Sequence, residues 1–285
     1  MSSPSPRPQR TSRRLTPPRT HHWTTALALL LACALLTPVH ADPKGERLAQ
    51  QVYDRPDGRD LTTRGTMVLQ ERGHAPRTRE MFIYRRDQGG GEVSTLIRFT
   101  APGDIADTGL LTIDHAAGES DQWVYLPALG KPRRIPAARQ GGRFVGSDLF
   151  YEDLRDRRVA LDEHRWLRQE TYEGVRTEVL ESTPVDPGNS VYGKRLSWIH
   201  PEALVALRID FFRPGQNQPF KRFTARRLER IQGYWTVTDS LMTDLDSGHQ
   251  TRMTSTLTRY DSGLDPVLFS RRALEDPVFE SRFRP

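Results

Sequence analysis

The side chains in this sequence that could do chemistry are ordinary in type, and their spacing argues against catalysis. Beyond residue 41 the histidines His74, His115, His164, His200 and His249 stand alone. None has the His-x-x-x-His or His-Glu-x-x-His spacing that puts two imidazoles on one helix face for a metal. Gly146-Ser147-Asp148 lacks the Gly-x-Ser-x-Gly frame of a nucleophile elbow. Gly89-Gly90-Gly91 is not followed by Lys and Ser or Thr, so it reads as a hairpin turn and not as a phosphate cradle. Asp and Glu are plentiful but singly spread, and no pair is marked out for glycoside hydrolysis. No catalytic residue, metal or cofactor is therefore expected. What remains is charge: Arg133-Arg134, followed by Asp148, Glu152 and Asp153. Guanidinium forks suit the oxygens of a phosphate headgroup. The same two arginines equally suit pairing with the acids that follow. Binding, not covalent chemistry, is the reading these residues support.

The elements that would position them are mostly strands. Lys44 to Tyr53 has a short apolar stripe at helical spacing in Leu48, Ala49 and Val52. After it the period becomes two. Met67 and Leu69 share a face in Arg64–Arg72, as do Val93, Ile97 and Phe99 in Glu92–Thr100. Thr78–Arg86 is apolar on both faces, and Thr108–His115 with Ser120–Pro127 reads as a hairpin. Trp123 and Tyr125 share one face of their strand while Val124 and Leu126 share the other, and alternation alone does not say which is concave. Alternation breaks over Ser147–Leu154, where Ser147 or Asp148 is expected to cap a short helix. Further strands are expected at Arg165–Tyr172, Arg176–Thr183, Tyr192–His200, Leu204–Arg213, Lys221–Ile231, Tyr234–Asp244 and Gln250–Tyr260. In Leu204–Arg213, Val205, Leu207, Ile209 and Phe211 face one way and Ala206, Arg208 and Asp210 the other. Ala273, Leu274 and Phe279 belong to a tail expected to dock on the sheet. A run of about eleven short strands with little helix indicates an antiparallel barrel or sandwich.

The two ends of the chain differ in character. Residues 1–41 carry Arg7, Arg10, Arg13, Arg14 and Arg19 and no acid, then an apolar run from Ala26 to Leu36. Val39-His40-Ala41 follows with small residues at the cleavage positions. This pattern predicts a secretory signal peptide removed after Ala41, leaving 42–285 as one domain. The alternative is a lipid anchor at Cys33, which follows Leu30-Leu31-Ala32 but sits inside the apolar run. The whole chain has 42 Lys and Arg against 36 Asp and Glu. Five of those arginines fall in the leader, so the rest is nearly neutral and no nucleic-acid partner is expected. Cys33 is the single cysteine, so no disulfide or thiol chemistry is expected in the exported part.

Three stretches taken together carry a resemblance. Asp121-Gln-Trp-Val-Tyr-Leu-Pro, Lys131-Pro-Arg-Arg-Ile, and Phe144-Val-Gly-Ser-Asp-Leu-Phe-Tyr-Glu-Asp-Leu154 resemble the signature of the bacterial outer-membrane lipoprotein-sorting-like family, relatives of the periplasmic lipoprotein carrier. Leu149 stands where an aromatic is usual, and Pro132 interrupts the basic stretch, disfavouring a regular strand there. The resemblance implies an incomplete, strongly curved antiparallel β-barrel with short helices lidding its concave apolar face. It also implies carriage of lipid or lipoprotein acyl chains toward the outer membrane, with no cofactor, and a resistance-nodulation-division type inner-membrane transporter as partner. On that reading the acyl-binding wall is Met67, Leu69, Ile97, Phe99, Val205, Leu207, Ile209, Phe211, Met253 and Leu257. The segment from Arg133 to Asp153, packed by Phe150 and Tyr151, forms a lid whose basic start, Arg133-Arg134, pairs with its acidic end. The alternative is an envelope scaffold or adaptor that docks on a transporter and carries nothing.

Overall fold

Period-two patterning runs through most of this chain, and in a computed structural model, which describes residues 42–285, it becomes one antiparallel sheet of 13 strands. The expected signal peptide and Cys33 lie outside the described residues. Helix α1 (Pro43–Tyr53) comes first. β1 (Asp60–Gln70), β2 (Arg77–Gly89), β3 (Glu92–Ala101), β4 (Gly109–Asp114), β5 (Asp121–Tyr125) and β6 (Arg133–Arg134) follow. An irregular segment, residues 135–161, leads to β7 (Asp162–Tyr172), β8 (Val175–Pro184), β9 (Lys194–Ile199), β10 (Ala206–Phe212), β11 (Pro219–Ile231), β12 (Tyr234–Asp244) and β13 (Gln250–Tyr260). Two short helices, α2 (Arg271–Glu275) and α3 (Pro277–Ser281), end the chain. The count exceeds the expected eleven or so partly because β6, only two residues long, carries too little pattern to be read.

The strand order is β6-β5-β4-β3-β2-β1-β13-β12-β11-β10-β9-β8-β7. Each neighbour is the next strand in sequence except at the β1–β13 seam. The sheet is open and curled, and its two edges, β6 and β7, are consecutive in the chain. Residues 135–161 must therefore run from one edge to the other, across the mouth. This topology is what makes them a covering segment.

Register defines the faces. Ile83, Ile97, Leu110 and Val124 stand side by side on β2, β3, β4 and β5, and Met67 stands opposite Met253 at the seam. This is the inner face. Tyr84, Leu96, Leu111 and Trp123 form the matching outer row. The C-terminal tail covers that row with Leu264, Leu268, Phe269, Ala273 and Leu274. Arg98, fully buried, pins it: Nη2 donates to the carbonyls of Ala273 (2.8 Å) and Leu274 (2.6 Å), and Nε lies 3.6 Å from the Glu280 carboxylate. Tyr84 Oη donates to the same carboxylate at 2.5 Å. Trp123 and Tyr125 pack against this outer cluster, so the Val124 and Leu126 side is the inner one.

Edge β7 is blunted by α1. The Asp42 carboxylate caps the helix at Lys44 N and also accepts from Trp166 N (2.7 Å), while Glu46 accepts from His164 N (3.2 Å). Exposed edge donors that would otherwise invite another strand are thereby satisfied. Gly45 permits the approach, since a Cβ there would lie 2.5 Å from the His164 carbonyl oxygen. Leu48 and Ala49 then bury against Leu180 and Ile199. Among the described residues no helix is long and apolar enough to cross a membrane.

Three local expectations are corrected. Ser147–Leu154 is not a capped helix but part of a loop with 3-10 turns at Phe144–Gly146 and Tyr151–Leu154. Asp153, not Ser147 or Asp148, caps the second by accepting from Phe150 N at 2.6 Å. β10 begins at Ala206 with its register slipping between Ala206 and Arg208, so Ala206, not Leu207, stands beside Ile199. β13 slips opposite Arg64/Gly65, which pairs Leu257 with Arg64 and turns it to the outer face. A bulge swaps the faces of everything beyond it.

Candidate acyl-chain site

The inner face is two apolar halves bridged by the covering segment. On one half Met67, Leu69, Ile97 and Phe99 cluster with Met81, Leu110, Val124 and Phe144, and Met253 packs beside them. Phe144 is fully buried, 5.7 Å from the Phe99 ring and 5.8 Å from that of Tyr151. On the other half Phe211 clusters with Tyr192, Phe220 and Met242, with Ile209 alongside. Leu149 packs on both clusters, and Phe150 stacks on Tyr192 at 6.0 Å. Of the residues expected to form the acyl wall, Met67, Leu69, Ile97, Phe99, Ile209, Phe211 and Met253 lie on this inner face, Val205 lines a cleft beside it, Leu207 stands at the β10 bulge, and Leu257 lies outside.

Polar anchors hold the segment, and they differ from those expected. Arg134 bonds Asp121 (Nε to Oδ1, 3.0 Å) and Arg133 is exposed, so neither pairs with the acidic end. Asp148 instead accepts from Arg143 (2.7 Å) and Thr251 Oγ1 (2.8 Å), with His249 Nδ1 at 2.6 Å. Glu152 accepts from Val191 N (2.7 Å) and lies near Arg157 and Arg195. Asp153 accepts from Lys221 Nζ (2.5 Å) and Tyr192 Oη (2.6 Å). Lys221 is buried, with Nζ 3.7 Å from the Phe150 ring centre. Burial pulls its pKa down, and Asp153 opposes this. Burial likewise pushes the Tyr192 phenol well above its ordinary value. The physical reason for the changed partners is topological. β11 and β13 cross beneath the acidic stretch, whereas Arg133-Arg134 is committed to the β6 edge. No sequence pattern marks Lys221 or His249, which meet the segment from far along the chain.

Two clefts open beside the anchored segment. One, of about 230 Å³, lies between α1, residues 156–159 and the inner faces of β7 to β10. Its Asp162 carboxylate is penalised by burial, yet Arg157 and Arg195 hold its pKa below the usual carboxylate range. The other, of about 300 Å³, lies over β1, β2, β12 and β13. Asp114, which accepts a bond from Asp156 N beside the first cleft, has its pKa pushed up to about 6 by burial. Among the described residues no cluster of His, Cys, Asp or Glu is arranged to hold a metal ion. Such a site can bind and enclose an apolar chain, with charged groups at the margin.

Comparison with known proteins places this arrangement. A family model described as "Uncharacterized protein" matches residues 91–276. No curated protein matches the sequence. The chain is similar to an outer-membrane lipoprotein-sorting protein domain from Vibrio parahaemolyticus, with 28% identity and a TM-score of 0.77 over 82% of this chain and 99% of that one. A DUF1329 family protein from Desulfovibrio piger is similar at 28% identity and a TM-score of 0.76, over 81% and 98% of the two chains. A LolA superfamily protein from Nitrosomonas europaea shares the fold at 18% identity and a TM-score of 0.62, over 80% and 98%. The open curled sheet, the matched model and these neighbours agree with the signature around Trp123 and Asp148: the chain belongs to the outer-membrane lipoprotein-sorting-like family.

Proposed function

We propose that this protein is a periplasmic carrier that encloses acyl chains of a lipid or lipoprotein within its curled sheet and assists their transfer toward the outer membrane. One observation carries the reading. Outside the β7–β9 end, where α1 packs, the apolar inner face is closed by an edge-to-edge segment with no regular secondary structure beyond short turns, anchored by side-chain bonds and not by further strands. Withdrawing Phe144 and Leu149 from that face costs on the order of 3–6 kcal/mol. Burying about eight CH₂ groups at roughly 0.8 kcal/mol each offsets the larger figure. Long acyl chains can therefore open the site and short ones cannot.

The exported form in this reading starts at Asp42, after removal of residues 1–41, and an inner-membrane transporter of the resistance-nodulation-division type supplies or receives the cargo. Transport needs no catalytic residue. A scaffold role is the second reading, and the packed state of Phe99 and Phe144 favours it. Mass spectrometry of organic extracts of the purified protein separates the two. The carrier releases long-chain lipid in near-stoichiometric amount; the scaffold releases none.

A further inference from the structure

We infer that the cleft over β1 and β2 holds the anionic head group, carboxylate or phosphate, of a single-chain amphiphile, gripped by Arg55 and Arg85. This rests on the carrier reading and specifies its ligand. The inner row of β2 runs Met81, Ile83, Arg85, so an apolar wall ends in a cation. Leu61, Val205, Trp235, Val237 and Met253 supply the rest of the apolar lining, interspersed with threonine and serine hydroxyls. Arg85 spends one nitrogen on Asp57 (3.0 Å), while its Nη1 is buried without an acceptor. Arg55 lines both clefts and donates Nη1 to the Val52 carbonyl (3.1 Å). Its Nε is also buried without an acceptor, and among the described residues no carboxylate lies within ion-pair distance of it.

Two guanidinium groups line this cleft, each keeping a buried donor without an acceptor that a small side-chain rotation would present to a carboxylate or phosphate. The acids facing them are few. Asp57 holds Arg85, and Asp156 accepts no side-chain bond from either arginine. Burial raises the Asp156 pKa, while the charges of Arg85 and Arg55 act to lower it, so Asp156 faces both arginines without bonding either. A ligand anion would compete with Asp57 at Arg85 and with the more distant Asp156 at both arginines. The volume of about 300 Å³ is at the small end for a ligand site, so it takes the head and the first methylenes while the chain continues into the space under the covering segment.

The test is displacement of the neutral probe N-phenyl-1-naphthylamine from the purified protein by laurate, methyl laurate, acetate and inorganic phosphate. Laurate should displace it about tenfold more tightly than methyl laurate, the loss expected for a charged hydrogen bond. Acetate and phosphate should not displace it. Arg85→Gln and Arg55→Gln should each weaken laurate about tenfold while leaving methyl laurate unchanged. Arg85→Lys should restore part of the loss, and Asp57→Asn, which frees Arg85 without removing a cation, should tighten laurate. Equal potency of laurate and methyl laurate on the native protein overturns the head-group site and leaves the carrier reading standing. Displacement by acetate or phosphate shows a free-anion site and also overturns it. Failure of the probe and of both laurates to bind overturns the carrier reading itself.

Discussion

Replacing Lys221 with Met should loosen the covering segment more than any other single change at its rim. Lys221 is 1% exposed, and its ammonium bonds Asp153 and Tyr192 beneath the rings of Phe150, Tyr192 and Phe211. Met matches the aliphatic stem, so packing changes little; the loss is the charge. Removing one partner of a buried pair costs about 3–5 kcal/mol because the other is left uncompensated. Asp153 keeps its bonds from Tyr192 Oη and Phe150 N, which places the cost near the lower end, about 3 kcal/mol. For a domain of this size that is a fall of about 6–12 °C in melting temperature. Asp153→Asn in the Lys221→Met background should recover part of it, because the orphaned charge goes too, and the cycle should give a coupling above about 1.5 kcal/mol. The assay is thermal and urea unfolding of the four proteins, with hydrogen exchange over residues 144–154. A Lys221→Met variant within about 0.5 kcal/mol of the native protein, or an additive cycle, would refute the reasoning.

Other outcomes follow from the same geometry. Asp114 has its folded pKa raised from 3.8 to about 6, so its favourable contribution is complete below the unfolded value and is lost as pH rises through 6. Asp114→Asn should therefore raise stability at pH 7.5 by on the order of 2–3 kcal/mol and flatten the profile between about pH 4 and 6.5, checked by melting curves across that range. Phe144→Ala should cost about 3–5 kcal/mol in urea unfolding yet leave room for an acyl chain, so a bound chain should restore more stability to it than to the native protein. Gly45→Ala should cost about 1–3 kcal/mol, because its Cβ would meet the His164 carbonyl and backbone cannot step aside. In a series of fatty acids, affinity should be undetectable for chains shorter than about eight methylenes and rise with each one beyond.

Alternation made most strands legible. Glu92–Thr100 was expected and β3 spans Glu92–Ala101, because a strand buried against neighbours on both sides has little freedom in where it ends. Alternation failed where the register slips. Leu257 has the parity of Met253, but Thr256 is an extra residue opposite Gly65, and the face changes there. The signal was present: a glycine inside a strand marks a bulge, and a Cβ on Gly65 would lie 2.4 Å from the Thr254 carbonyl. The covering segment was legible as a break in pattern between a basic pair and an acidic run. Its anchors were not, since Lys221, Arg143 and His249 are matched to Asp153 and Asp148 only by the curl of the sheet. Arg55 and Arg85 were hidden for the same reason: each looks like one more scattered arginine until β1, β2 and the end of α1 meet.

The central claim is that acyl chains lie against the inner face. A fatty acid carrying a photoreactive diazirine near its tail, irradiated on the protein and mapped by peptide mass spectrometry, tests this directly. Labelling is expected on inner-row residues such as Ile83, Ile97 and Met253 and on the covering segment near Leu149. Labelling confined to outer-face residues such as Phe82, Trp123 or Leu257, or none above that of unfolded protein, would contradict the account.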